Sequence, residues 1–365
     1  MKITRVEAIP FSIPTRRPFA FSGGAVHHAE HVLIRVHTDE GLVGQAEAAP
    51  RAVMSGETQA TVVAVAGGWL EGACVGADPV RVEDIHARLR PLAGNHTARA
   101  ALDIALHDVV GQAYGVPCSV LLGAYTDRVP VSHMVGFASP EESAEEAADL
   151  RARYGVSAFK LKVGVGADHD LATCAAVRAA VGPDALLYAD ANHGYRADEA
   201  LQVLPRMAEW NIAWVEEPCP AEDRVGRSRI VDQLGIPVAG DESCRSLAEV
   251  ASEVMDGRCR MVSVKTARSG YLTSRKIVAL CEALGATPVC GSQLEGAIGA
   301  VAQAAFAASH EATARFPAEL TGFLAYADDV IAEPPVIANG EMTVSGRPGL
   351  GITIDEGKLA HYRCD

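Results

Sequence analysis

Leu186-Leu187-Tyr188-Ala189-Asp190-Ala191-Asn192 is an apolar run that ends in a carboxylate. The arrangement returns in Ala213-Trp214-Val215-Glu216-Glu217-Pro218 and again in Pro237-Val238-Ala239-Gly240-Asp241-Glu242-Ser243. A short apolar run bounded by polar and turn-forming residues reads as a buried strand. Runs of this kind put strand ends near Val135, Lys162, Asp190, Glu216, Asp241, Lys265, Ser292 and Glu319, at intervals of 24 to 28 residues. A strand, a loop, a helix and a returning loop occupy about that length, so the segment predicts eight βα units closing into a (β/α)8 barrel. An open doubly wound sheet shares the spacing, but it normally carries a glycine-rich first turn, and none is found.

The flanks read differently. Met1 to Val6, Val32 to His37 and Leu42 to Ala46 are predicted strands, the last two joined by the turn Thr38-Asp39-Glu40-Gly41. Residues 57–115 are mostly helical, with apolar positions at helical spacing through Ala98–Val110. Strands followed by helices predict an N-terminal α+β capping domain over residues 1–125. The Pro- and Gly-rich segment 328–365 is expected to rejoin it, which leaves 126–327 for the α/β barrel.

The 365 residues carry a formal charge of −14, with 49% hydrophobic and 21% charged residues. That composition supports a large core and excludes a disordered chain. The acidic balance argues against nucleic acid and anionic membrane as partners, while leaving a small acidic substrate open. No apolar run approaches the ~18 residues of a membrane span, and the N-terminus lacks the apolar core of a signal peptide. Nine cysteines scattered from Cys74 to Cys364, with no C-x-x-C pair, suggest neither a disulfide framework nor a zinc site. The expected setting is reducing and cytoplasmic.

Chemistry concentrates at the strand ends. Phe159-Lys160-Leu161-Lys162-Val163 puts two lysines on one face of a strand. Alone, such a pair is usually a solvated edge, and a lone strand-end acid usually caps the next helix. Three acids on three consecutive strands are different, because they converge and repel. A divalent cation removes that repulsion, and oxygen-only donors favour Mg²⁺ or Mn²⁺. Lys265 ends the sixth strand, four places round the ring from Lys162 on the second, so the two flank whatever the ion holds. That geometry moves a proton on or off either face of one carbon α to a carboxylate. Lys160 beside Lys162, and Arg268 beside Lys265, are expected to lower the lysine pKa values.

Lys160-Leu161-Lys162, Asp190-Ala191-Asn192, Glu216-Glu217-Pro218, Asp241-Glu242-Ser243 and Lys265, in this order and spacing, resemble the muconate lactonizing enzyme subgroup of the enolase superfamily. The resemblance spans nearly the whole chain. It implies that Asp190, Glu216 and Asp241 are metal ligands, with Lys162 and Lys265 as the acid/base pair and Lys160 supporting them. It places Glu319 near the substrate on strand eight, and Phe19 to Gly24 in a lid loop where Phe21 contacts substrate. Gln293 is a further expected substrate contact, in the variable strand-seven segment Gly291 to Gly296. Ala318-Glu319-Leu320 departs from the D-x-D of the subgroup's dipeptide epimerases. Tyr125 to Val129, Val131 to Phe137 and Lys265 to Gly270 look most like the actinobacterial muconate cycloisomerases. The expectation is therefore a Mg²⁺- or Mn²⁺-dependent lactonization of cis,cis-muconate, a small carboxylate substrate, by a homo-oligomer. The alternative is a racemase or dehydratase of an amino acid or proline derivative using the same residues.

Overall fold

The computed structural model describes residues 1–364. Alternating apolar residues drive the first sheet: Ile9, Phe11 and Ile13 from β1 (Ile3–Phe21) and Val32, Ile34 and Val36 from β2 (Gly24–Thr38) are buried. With β3 (Val43–Ala48) they form an antiparallel sheet in the order β1-β2-β3. The first two strands run far beyond the sequence expectation, as a hairpin that turns at Ser22 and Gly23. Pro10, Pro14 and Pro18 hid this in the sequence, since proline cannot donate to a ladder. They are tolerated because β1 is an edge strand, and the register shifts between Pro14 and Phe19. The long helix His96–Tyr114 packs on β3 and ends at Gly115 in the left-handed conformation (φ 67°). The approach is close: a Cβ on Gly44 would stand 2.0 Å from the Ala105 carbonyl oxygen.

The barrel strands are β4 (Arg128–Val135), β5 (Ala158–Lys162), β6 (Leu186–Asp190), β7 (Ile212–Glu216), β8 (Val238–Gly240), β9 (Met261–Val264), β10 (Thr287–Cys290) and β11 (Ala318–Glu319). Strands β4 to β10 pair in parallel in chain order, and β11 pairs back onto β4. Between β10 and β11, the Ser292 N–H donates to Glu319 Oε2 at 2.9 Å and ties the seam. The strands from β4 to β10 are each followed by a helix, but β11 is followed only by the 3₁₀ turn Gly322–Ala325. Inside the ring, Tyr188, Trp214, Ala239, Met261 and Val289 form their own apolar cluster, with the rings of Tyr188 and Trp214 stacked at 4.1 Å. This floor closes the barrel beneath the strand ends. No helix among the described residues is long and apolar enough to cross a membrane.

The C-terminal segment touches both parts. Its hairpin, β12 (Ile337–Ala338) and β13 (Glu341–Thr343), adds antiparallel to the start of β4. Farther on, Leu350 N donates to Asp108 of the capping helix at 2.7 Å, and Arg363 bridges to Phe11. Cap and barrel also meet through Glu47, which accepts from Gly296 N (2.9 Å) and Gly299 N (2.8 Å) at the start of the helix Ala297–Ala307.

Gly44→Ala tests the packing of helix on sheet. Because the obstacle is backbone, the helix must shift, and a loss of about 1–3 kcal/mol is expected in urea unfolding. A variant as stable as the parent would show that the contact yields freely.

Candidate active site

Strand register brings the expected residues together. Lys162 pairs with Asp190, and Asp190 with Glu216; Glu216 pairs with Ala239, two positions before Asp241 on the same face. Strands β8, β9 and β10 stop one or two residues short of Asp241, Lys265 and Ser292, so these three sit in the first loop positions. Lys160 Nζ lies 2.8 Å from Glu216 Oε1, 2.9 Å from Asp190 Oδ2 and 3.0 Å from Glu319 Oε1. Lys162 Nζ donates to Asp190 Oδ2 at 2.7 Å and to Asn192 Oδ1 at 2.6 Å. Across the ring, Lys265 Nζ donates to Asp241 Oδ2, and Arg268 Nη1 donates to Asp241 Oδ1 at 2.6 Å. The stem of Lys265 needs Gly291, whose Cβ would stand 3.0 Å from Lys265 Cε. Behind Asp241, Glu217 accepts from Asp241 N and Ser243 N and pairs with the buried Arg227 at 2.6 Å.

The electrostatics follow from this crowding. Burial opposes ionisation of Asp190 and Asp241, yet the touching cations win: Lys160 and Lys162 for the first, Lys265 and Arg268 for the second. Both acids lie below the usual carboxylate range. Glu216 goes the other way. Burial, with Asp190, Asp241 and Glu319 around it, raises it well above its ordinary value despite Lys160. The expectation that a neighbouring cation would lower Lys265 is not met. Burial does pull it down, but the Asp241 carboxylate outweighs that and holds it above its ordinary value. The reason is geometric: Arg268 and Lys265 share one acid rather than facing each other across empty space.

The acids fit a hard divalent cation in chemistry and in one orphaned atom. Glu216 Oε2 is buried and lacks any hydrogen-bond partner. The oxygens of Asp190, Glu216 and Asp241 are drawn toward the cations on either side. The cluster whose ligand atoms all lie within 4.8 Å of one another is instead His193, Glu217 and Glu242. Glu217 is already engaged by Arg227 and two backbone N–H groups, so that cluster is the poorer cradle.

Lys162 and Lys265 line one small chamber of about 30 Å³ together with Phe19, Phe21, Val26, Arg51, Met54, Met134, Asn192, Ser292, Gln293 and Leu294. Of the expected substrate contacts, Phe21 and Gln293 therefore line it. The Phe21 ring lies over Lys162 Nζ at 5.9 Å. Glu319 does not line it: its oxygens are taken by Lys160, Tyr188 OH (3.0 Å) and Ser292 N. Sequence reasoning missed Asn192, which lay inside a quoted motif, and Arg51, a single arginine after Ala48-Ala49-Pro50 that no local pattern marks. The hairpin tip covers the chamber, with Ser22 Oγ donating to Asn192 O at 2.7 Å. A larger cavity of about 460 Å³ lies next door and shares Phe19, Met134 and Leu294 as walls.

A capped barrel with strand-end acids and opposed lysines is the enolase kind of architecture. Residues 5–123 match the mandelate racemase / muconate lactonizing enzyme N-terminal domain, and residues 142–358 the enolase C-terminal domain-like family. The muconate lactonizing enzyme from Mucobacterium Smegmatis, solved in complex with muconolactone, is 43% identical, with each chain covered in full and a TM-score of 0.98. The L-Ala-D/L-Glu epimerase of Bacillus subtilis is 31% identical, covering 96% of this chain and 97% of its own. The N-succinyl-L-Arg/Lys racemase of Bacillus cereus is 30% identical over 98% of this chain and 97% of its own. The chain is thus a member of the enolase superfamily. Within it, the chain belongs to the mandelate racemase / muconate lactonizing enzyme family.

Lys160→Met tests how the acids are held apart. Removing the one ammonium shared by three buried carboxylates should lower unfolding free energy by about 3–5 kcal/mol in EDTA. Added Mg²⁺ should restore part of that. Equal stability of variant and parent in EDTA would contradict the reading.

Proposed function

We propose that the protein is a muconate cycloisomerase that lactonizes cis,cis-muconate. The observation that carries this reading is the single chamber lined by Lys162 from β5 and Lys265 from the end of β9, with no carboxylate in its walls. Strands β5 and β9 stand four apart in the eight-strand order, so the two amines approach one substrate from opposite sides. The likeness to a lactonizing enzyme that holds muconolactone supports the same choice.

Asp190, Glu216 and Asp241 are assigned as the groups that hold a Mg²⁺ or Mn²⁺ ion. When bound, that ion supplies Lewis-acid stabilisation of negative charge on a substrate carboxylate. Within the substrate, one carboxylate oxygen adds to a double bond. A C–O bond forms, and the π pair moves to the carbon α to the other carboxylate. A lysine Nζ gives its proton to that carbon and later regains one from water. The side from which the lysine delivers sets syn or anti addition. Lys160 keeps Asp190, Glu216 and Glu319 from repelling one another, Asn192 orients the Lys162 amine, and Phe21 and the hairpin tip exclude water.

The second reading is a racemase or dehydratase of an amino acid or proline derivative, favoured by the likeness to the N-succinyl-L-Arg/Lys racemase. The same lysines would take and return an α-proton from opposite faces. A free ammonium group on such a substrate, however, finds no acid in the chamber walls.

Incubation of the protein with cis,cis-muconate and Mg²⁺ in D₂O should yield a lactone carrying one deuterium. Lys162→Ala and Lys265→Ala should each cut turnover by about 10²–10⁴-fold. No lactone at any Mg²⁺ or Mn²⁺ concentration would overturn the proposal. Exchange of an amino-acid α-proton in its place would favour the second reading.

A further inference from the structure

Among the described residues, the buried lysines and arginines are Arg51, Lys160, Lys162, Arg227, Arg258 and Lys265. Every one but Arg51 meets a carboxylate within 4.0 Å. Arg51 is 8% exposed, and no Asp or Glu oxygen among the described residues reaches it. A buried guanidinium without a counter-charge is costly, so a structure that keeps one implies an anion from elsewhere.

The contacts that hold Arg51 are all to neutral groups. Nη1 donates to the Pro50 carbonyl at 3.0 Å. Nη2 lies 2.9 Å from the Leu294 carbonyl, 3.0 Å from His31 Nε2 and 3.1 Å from Tyr326 OH. Glu47 is reached only through His31, whose Nδ1 faces Glu47 Oε1. Burial holds the imidazole below its ordinary value against the pull of Glu47, so the nearest acid stands behind the His31 ring and does not touch the guanidinium. These contacts fix the guanidinium rigidly while leaving its charge intact. Its Nε–H has no acceptor among the described residues.

Arg51 lines the chamber that holds Lys162 and Lys265. It comes from the cap, just past β3, whereas the lysines come from the barrel. The chamber thus has cations on both its cap and barrel sides, no acid, and walls of Phe19, Phe21, Val26, Met54 and Met134 that strengthen charge interactions by excluding water. We propose that Arg51 forms a subsite for the second carboxylate of a dicarboxylate substrate, whose first carboxylate is held among the barrel residues. The inference rests on the reading of this chamber as the place where a small carboxylate is bound. It adds that the cap reads the far end of that dianion, through a charge-assisted hydrogen bond from the Nε–H that the protein leaves without an acceptor.

The test uses inert ligands, so that it does not depend on turnover. With Mg²⁺ present, calorimetry should show the intact protein binding adipate at least 10-fold more tightly than monoethyl adipate, which has the same chain and a single charge. Arg51→Met should shrink that ratio to within about 3-fold, chiefly by weakening adipate. Arg51→Lys, which keeps the charge and loses the fixed Nε–H donor, should fall between. Should Arg51→Met fail to fold, the parent's preference for the dianion and the intermediate ratio of Arg51→Lys still decide. A parent that binds both ligands equally, or an Arg51→Met or Arg51→Lys protein with the parent's ratio, overturns the subsite. A charge preference that depends on Arg51 in a protein that forms no lactone would keep the subsite and overturn the cycloisomerase reading alone. Lactone formation with an unchanged ratio would do the reverse.

Discussion

Four acids, Asp190, Glu216, Asp241 and Glu319, are buried at the mouth of one barrel, and their mutual repulsion is the constraint to which the surrounding structure answers. Lys160, Lys162, Lys265 and Arg268 meet them in direct contact. In a dry, low-dielectric pocket these charges interact strongly enough to fix one another's geometry. The layer beneath is apolar and rigid, with Tyr188 stacked on Trp214, and the layer behind is a second ion pair, Glu217 with Arg227. The cluster is close to neutral by itself. On the proposed reading, a divalent ion brings two positive charges beside that of Arg51, and a dicarboxylate brings two negative ones that offset most of them.

The cap does more than cover this mouth. Glu47 accepts hydrogen bonds from two backbone N–H groups at the start of a barrel helix, and Gly296 is what lets it approach: a Cβ there would stand 2.9 Å from Glu47 Oε1. Arg51 and Tyr326 both donate to the Leu294 carbonyl. Leu294 has a positive φ of 60°, a backbone state unusual for a branched residue. The loop that lines the chamber beyond β10 is thus shaped from the cap side as much as from the barrel.

Much of this was legible in the chain. The barrel emerged because its strands are buried on both faces and read as uninterrupted apolar runs at a regular interval. The acids and lysines stood out because charge at the end of such a run contradicts its surroundings. Other features escaped for physical reasons. The long hairpin of β1 and β2 was masked by prolines that break the usual strand signal. The roles of Glu319 and Lys265 depended on which neighbours touch them, and a side chain's partners across a ring are not written in its own segment. Glu319 proved to be a brace for Lys160 and Tyr188, away from the chamber walls. Arg51 was invisible because its meaning comes from what is missing around it.

The three prolines of β1 have an effect on how the molecule behaves in company. An outer strand of nineteen residues, apolar on one face, offers a template on which a second chain can polymerise. Pro10, Pro14 and Pro18 remove a backbone donor every fourth residue along it, and Cys364 N already occupies the Pro10 carbonyl. The same prolines that the edge position tolerates thereby guard this border against fibre-like growth, together with the chain segments at Ala327 and Cys364 that bond to Pro14 and Pro10.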